Sequence, residues 1–210
     1  MAILDDIFNS VVAGKVEDAA TGVERGLNTG IDVDEILKQG LLAAMDLVGK
    51  KFGEGEIFIP QVVWSAKAMQ AGMNLLKPHF TESHQTNRAR IIIGTAKGDI
   101  HDIGKKLVAM MLEGAGFEVI DLGVDVKPET FVEKAAETNA DIIAISALLT
   151  TTMTSMADVV ALKKERNVSF PKVLIGGAPL SVEYCLEIGA DAYGVDAGEA
   201  VSRVKELLDL

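Results

Sequence analysis

Up to about residue 80 the apolar positions recur every three to four residues; beyond it they come in short unbroken runs separated by helical stretches. The first region predicts four helices: Asp5 to Val12, Lys15 to Asn28, Val33 to Gly49, and Pro60 to near Leu76. Asn28-Thr29-Gly30 reads as a helix C-cap, and Asp32 as an N-cap with Glu35 three residues on. Pro60 suits the first helical position and disfavours helix at Ile59. Thr81 to Arg88 is polar, without periodicity, and reads as a linker. The second region predicts strands at Ala89–Gly94, Phe117–Asp121, Asp141–Ser146, Lys172–Gly176 and Asp191–Tyr193. Helices are expected near Ile103–Glu113, Pro128–Glu137, Thr152–Arg166, Ser181–Glu187 and Gly198–Leu208. Short, nearly all-apolar strands between helices imply a parallel sheet covered on both faces. The expectation is a helical domain over residues 1–85 and an α/β domain over residues 89–210, doubly wound in the flavodoxin/Rossmann manner.

That topology gathers chemistry. Loops after parallel strands leave the sheet at one edge, where open α/β sheets bind ligands. In strand order 2-1-3-4-5 the first, third and fourth strands are neighbours. Three loops then converge: Asp99 to Gly104, Ser146 to Thr152, and Gly176-Gly177. The first carries His101, one of only three histidines, with Asp99 two residues before it. A carboxylate can hold the imidazole Nδ1–H and leave Nε2 for a metal. Gly98-Asp99-Ile100-His101 also fits the opening of a dinuclear phosphoesterase site, which needs further ligands. His79 and His84 lie upstream of the first strand, and no His-rich segment follows the later ones. The residues alone therefore leave one histidine, suited to a metal whose other ligands arrive with a cofactor, beside the plainer reading of a loop or capping histidine.

Composition narrows the partners. A net charge of −11 in 210 residues argues against nucleic acid and anionic membranes. No apolar run approaches the ~20 residues of a membrane span. The amino terminus lacks a signal-peptide pattern, and the single cysteine, Cys185, suits a reducing cytoplasm as a buried thiol. Met69 and Met73, one helical turn apart, read as core.

Lys97-Gly98-Asp99-Ile100-His101-Asp102-Ile103-Gly104-Lys105 resembles the Asp-x-His-x-x-Gly motif of cobalamin (corrinoid) binding proteins. Ser146-Ala147-Leu148 resembles their Ser-x-Leu motif, and Gly176-Gly177 their paired glycines. Phe52-Gly53-Glu54-Gly55-Glu56-Ile57-Phe58-Ile59-Pro60-Gln61-Val62-Val63 is similar to the four-helix cap of methionine synthase's cobalamin region. The resemblance spans nearly the whole chain.

It implies a cobalamin or related corrinoid bound base-off, with His101 as the cobalt ligand. Asp99 would orient the imidazole, and Thr152 would complete the relay, where the methionine synthase pattern has Ser. Ile103, Gly104 and Leu148 come with the motifs as cofactor contacts. Asp102 is a contact in that pattern, while its position favours a helix cap. Gly176 and Gly177 would admit the nucleotide tail, with hydroxyls from Ser146 and Thr150. Phe52, Ile59 (Leu in the pattern) and Val62 would cover the upper face.

The implied activity is methyl carriage on cobalt, without catalysis of its own, inside a multi-component methyltransferase. Expected partners are a substrate-specific methyltransferase, a second one acting on tetrahydrofolate or coenzyme M, and a reductive activase. The expected donor is a methoxyaromatic, methanol, a methylamine or betaine, with methoxyaromatic O-demethylation preferred. The chain has no room for the substrate modules that flank this region in methionine synthase. Two rivals share the motifs. An adenosylcobalamin mutase subunit lacks the helical cap. A cobalamin-dependent light sensor and regulator needs a DNA-binding domain, and this acidic chain shows none.

Overall fold

The computed structural model describes residues 2–79, 89–166 and 171–210. The linker expected at Thr81–Arg88, with His84, lies outside them. The chain forms two compact units, Met1–Arg88 with Glu113–Gly116, and Ala89–Leu112 with Phe117–Leu210.

Among the described residues the first unit holds four main helical stretches, the last followed by a 3₁₀ turn over Lys77–His79. They are α1 (Ala2–Val12), α2 (Val16–Asn28), α3 (running through Val33–Glu35, Ile36–Leu42 and Ala43–Gly53) and α4 (Ile59–Leu76). Asp32 caps α3, its Oδ1 accepting from Asp34 N at 2.9 Å and Glu35 N at 3.3 Å. The Glu35 side chain takes Gln39 instead of reaching back, so only half of the expected box forms. The middle of α3 is π-helical, and the wider turn brings Ile36, Gly40 and Leu41 inward together. α3 also outruns its expected end at Gly49. The left-handed glycine that stops it is Gly55, at φ +74°. α4 starts one residue before Pro60, at Ile59, and Gln61 Oε1 accepts the Phe58 N–H at 2.8 Å. Met69 and Met73 are buried in its core face, as read.

The second unit is a five-stranded parallel sheet in the order β2-β1-β3-β4-β5, as expected. Its strands are β1 (Arg90–Thr95), β2 (Glu118–Asp121), β3 (Ile142–Ser146), β4 (Lys172–Gly176) and β5 (Ala192–Gly194). The helices between and after them are α5 (Ile103–Gly114), α6 (Pro128–Thr138), α7 (Thr150–Met153), α8 (Ser155–Glu165), α9 (Val182–Ile188) and α10 (Ala197–Leu207). Right-handed crossovers put α6, α8 and α9 on one face, because β2 to β5 all step the same way. There Ile92, Ile143, Ile145, Val173 and Ile175 pack with Phe131, Val132, Met156 and Val159. Alternation sends Ile91, Ile93, Ile142 and Leu174, all buried, to the opposite face. Cys185 is buried, and burial pushes its thiol up. The single helix expected over Thr152–Arg166 is two. The Thr154 and Ser155 hydroxyls each bond a carbonyl three residues back, which competes with the helical ladder. Among the described residues no helix is long and apolar enough to cross a membrane.

One buried charge stands out. Lys105, in the first turn of α5, is 2% exposed, and its ammonium pairs with Asp121 at the end of β2. Asp121 is 38% exposed at the side chain and also accepts from Gly123 N at 2.8 Å. The two partners are therefore unequal. Asp121→Ala strands an ammonium out of water and should cost about 3 kcal/mol. Lys105→Met leaves a carboxylate that water still reaches, with an apolar stem of similar shape, and should cost less than about 1.5 kcal/mol. Urea unfolding at unchanged m-value reads both. Equal losses would show that the burial of Lys105 does not set the cost.

Candidate functional site

Four strands end in one row: Thr95 pairs with Ser146, Ser146 with Gly176, and Gly176 with Gly194. The loops that follow all leave from this row, at the carboxyl edge, and the switch point lies between β1 and β3.

Asp99 is the centre of the site. It is 0% exposed, yet its two oxygens take four donors. Oδ1 accepts from His101 N at 3.0 Å and from the His101 imidazole Nδ1 at 2.7 Å. Oδ2 accepts from Leu148 N at 2.8 Å and Thr152 Oγ1 at 2.7 Å. Burial opposes ionisation, but the bonds from His101 N, Leu148 N, the Thr152 hydroxyl and the imidazole outweigh it. The carboxyl is held well below the usual carboxylate range. An ionised carboxylate only accepts, so Nδ1 must carry a proton, and in the neutral ring that leaves the lone pair on Nε2. The His101 side chain is 48% exposed, and Nε2 makes no hydrogen bond among the described residues. Its backbone is fixed as well, because Thr95 Oγ1 donates to His101 O at 3.0 Å.

The neighbouring motif residues stand close around this core. Asp102 heads α5; its carbonyl accepts from Lys106 N at 2.8 Å, and its carboxylate pairs with the Lys106 ammonium at 2.5 Å. The side chain thus ties the first turn through Lys106. Ile103 follows at 77% exposure, then Gly104, where an added Cβ would meet open space. Gly177 has φ +133°, and a Cβ there would lie 1.9 Å from Ala147 O, so only glycine fits. At Gly176 a Cβ would come within 3.2 Å of Gly194 O. The Ser146 and Thr150 hydroxyls make no hydrogen bond among the described residues, so both are available to a ligand.

The loops at this edge also expose apolar side chains: Ile100 at 73%, with Ile103, Leu148, Leu149, Val182 and Val195. Loops seldom leave so many apolar residues bare without something to cover. Among the described residues no three His, Cys, Asp or Glu gather as a metal cage. The site therefore offers one imidazole nitrogen, a glycine cleft, spare hydroxyls and an apolar rim. That set fits a large, largely planar cofactor that brings a metal with most of its own ligands.

Phe52, Ile59 and Val62 belong to the helical unit. Phe52 is half-buried and Ile59 exposed, so both have surface to offer, whereas Val62 is fully enclosed. Phe58, which the sequence reading passed over, is more exposed than either. Thr95, Lys105 and Asp121 were also missed. A threonine closing the run Ile91-Ile92-Ile93 was the one available signal for Thr95; nothing in the sequence marks Lys105 as buried. The motif identified Leu148 as a side chain, but it is its backbone N–H that holds Asp99.

Two family models, both described as B12 binding domains, match residues 89–205 and residues 3–77. The chain is 42% identical over 208 residues to dimethylamine corrinoid protein 2 of Methanosarcina acetivorans, covering 98% of this chain and 96% of the relative. Among solved structures, a cobalamin-binding protein from Desulfitobacterium hafniense DCB-2 superposes with a TM-score of 0.82 at 31% identity. The match covers 97% of this chain and 98% of that one. The methanol:cobalamin methyltransferase complex MtaBC of Methanosarcina barkeri gives 0.86 at 26% identity, over 99% of this chain and 80% of that one.

Asp99→Asn tests the carboxylate network without any cofactor. An amide has one acceptor oxygen for four donors, so the Leu148 N–H or the imidazole loses its partner. The expected loss is about 2 to 3 kcal/mol at neutral pH. The wild-type carboxyl sits below its unfolded value of about 4. Its stabilisation is thus full above that pH and is lost as pH falls through the folded value. Acid titration of the unfolding midpoint should therefore slope less steeply below pH of about 4 in Asp99→Asn than in wild type. Parallel curves would mean that Asp99 is not ionised in the fold.

Proposed function

The chain belongs to the B12-binding family, and from that premise we propose that it binds its corrinoid base-off, with His101 as the lower ligand, and carries methyl groups between two methyltransferases. The observation that carries this is the buried Asp99, whose Oδ1 lies 2.7 Å from the His101 Nδ1 and so turns Nε2 outward. When bound, the corrinoid supplies a cobalt centre that accepts a methyl group from one partner and yields it to another.

The chain's own residues do the rest. His101 holds the lower face, and Asp99 raises the basicity of Nε2 by accepting from Nδ1. Thr152 Oγ1 and Leu148 N keep Asp99 charged; a proton delivered to Asp99 would weaken the hold of His101. Gly176 and Gly177 would admit the nucleotide tail, and the Ser146 and Thr150 hydroxyls would be free to bind it. Ile100, Ile103, Leu148 and Leu149, all exposed, would cover the ring and exclude water. Residues 89–210 would be the corrinoid-holding unit and residues 1–85 the cap, with Phe52 and Ile59 as the residues that would shield the cofactor.

The partners in this reading are a substrate-specific methyltransferase, a second one acting on tetrahydrofolate or coenzyme M, and a reductive activase. The full-length likeness to a dimethylamine corrinoid protein favours a methylated amine as donor over a methoxyaromatic.

Electron paramagnetic resonance of the Co(II) protein tests the ligand. Hyperfine splitting from one nitrogen should change when histidine is labelled with nitrogen-15, and should vanish in His101→Ala. Splitting that follows the cofactor's own base instead would end the His-on reading. The carrier role is tested separately, by methylation of the loaded protein from dimethylamine by its co-purified methyltransferase. No methylation from any methylated amine or methoxyaromatic would count against it.

A further inference from the structure

We propose that Asp125 is a positioning residue that holds the Asp99–His101 loop in the shape that aims His101 at the cofactor. This rests on the reading of His101 as the cobalt ligand. The segment after β2 does not leave the sheet at once but continues to pair along β1. Leu122 N donates to Ile93 O at 2.7 Å, Thr95 N to Gly123 O at 3.0 Å, and Val126 N to Thr95 O at 3.0 Å. Asp125 sits at the tip of this extension, directly opposite the loop that begins at Lys97.

There it closes a reciprocal clamp. Gly98 N donates to Asp125 Oδ1 at 2.7 Å, and Asp125 N donates to Asp99 O at 2.9 Å. With the Asp99 N to Ala96 O bond at 3.0 Å, the Asp99 backbone is fixed on both sides. The conformation has a cost, because Asp125 holds φ +52°, a left-handed geometry that non-glycine residues adopt seldom and aspartate tolerates. Asp125 is exposed, so core packing does not account for it. Gly98, at φ +82°, turns its N–H toward the carboxylate. The strain is thus spent on aiming one charge-assisted bond at the residue before Asp99. Because Asp99 carries the imidazole, a shift of a few tenths of an ångström in its backbone moves Nε2.

Three variants of the full, corrinoid-loaded chain separate the possibilities. Asp125→Gly removes the acceptor but adopts a positive φ freely, so it folds even where Asp125→Ala is strained. Asp125→Asn keeps an oxygen acceptor and tolerates the geometry. In Asp125→Gly and Asp125→Ala the corrinoid Kd should rise on the order of tenfold, as for loss of a hydrogen bond to a charged group. The fraction of Co(II) signal with histidine splitting should fall below about half in both. Asp125→Asn keeps the acceptor without the charge and should lie between, with Kd raised about threefold.

A Gly variant equal to wild type in Kd and splitting would overturn the proposal. So would an Asn variant as impaired as Gly, which would make the charge and not the acceptor the cause. A merely structural role would lower the thermal midpoint while the bound cofactor kept full histidine splitting, and that too would overturn it. If wild type itself lacks histidine splitting, the ligand reading fails and takes this proposal with it.

Discussion

A carboxylate with no exposed surface must be given donors, and the site is built from the way Asp99 meets that demand. Its four hydrogen bonds come from its own loop and from the β3 loop. Each missing donor costs about 1 to 3 kcal/mol at a buried charged group. The chain cannot move the β3 loop away from the β1 loop without incurring that cost. The same bonds keep the carboxyl ionised, and an ionised carboxyl dictates the tautomer of His101. One electrostatic constraint therefore sets both the packing of two loops and the nitrogen presented outward.

The sheet makes this meeting unavoidable. Thr95, Ser146, Gly176 and Gly194 share one row, so the loops that follow start side by side although tens of residues separate them. Glycines close the row where side chains would collide, above all at Gly177 against Ala147 O. Apolar residues then rim the edge instead of retreating into a core. Their exposure is unfavourable in water and becomes favourable once a broad apolar ligand covers them. Lys105 and Asp121 brace the flank of the same loop by tying the first turn of α5 to the end of β2.

The two units owe their form to different patterns. The helical unit rests on apolar spacing and on close helix approach, with wholly buried Ile7 lying against Gly22 and Gly40. The α/β unit rests on strands that are apolar on both faces, which demand helices on either side. Both patterns match B12 binding domain models, one for each region of the chain.

The sequence by itself determined the alternation of strands and helices and, given a flavodoxin-like strand order, the set of loops that meet. Periodicity, Gly and Pro punctuation and crossover handedness are local or nearly local rules, and they act here without conflict. It also marked Asp99, His101, Ser146, Thr152, Gly176 and Gly177, whose residue types and spacing carry a resemblance. Only the tertiary structure decided who bonds to whom. That Leu148 contributes its backbone N–H is invisible in its side chain. That Thr95 anchors the His101 carbonyl depends on a turn between them. That Lys105 is buried depends on Asp121, a partner sixteen residues on, across a strand and a helix. Helix details shifted for a similar reason: Thr154 and Ser155 bond carbonyls in competition with the ladder, and the outcome rests on a balance of bonds near 1 kcal/mol each. Side-chain pattern records which face of an element is buried; it does not record backbone donors or long-range charge pairs, because these are set by geometry that exists only after the sheet has closed.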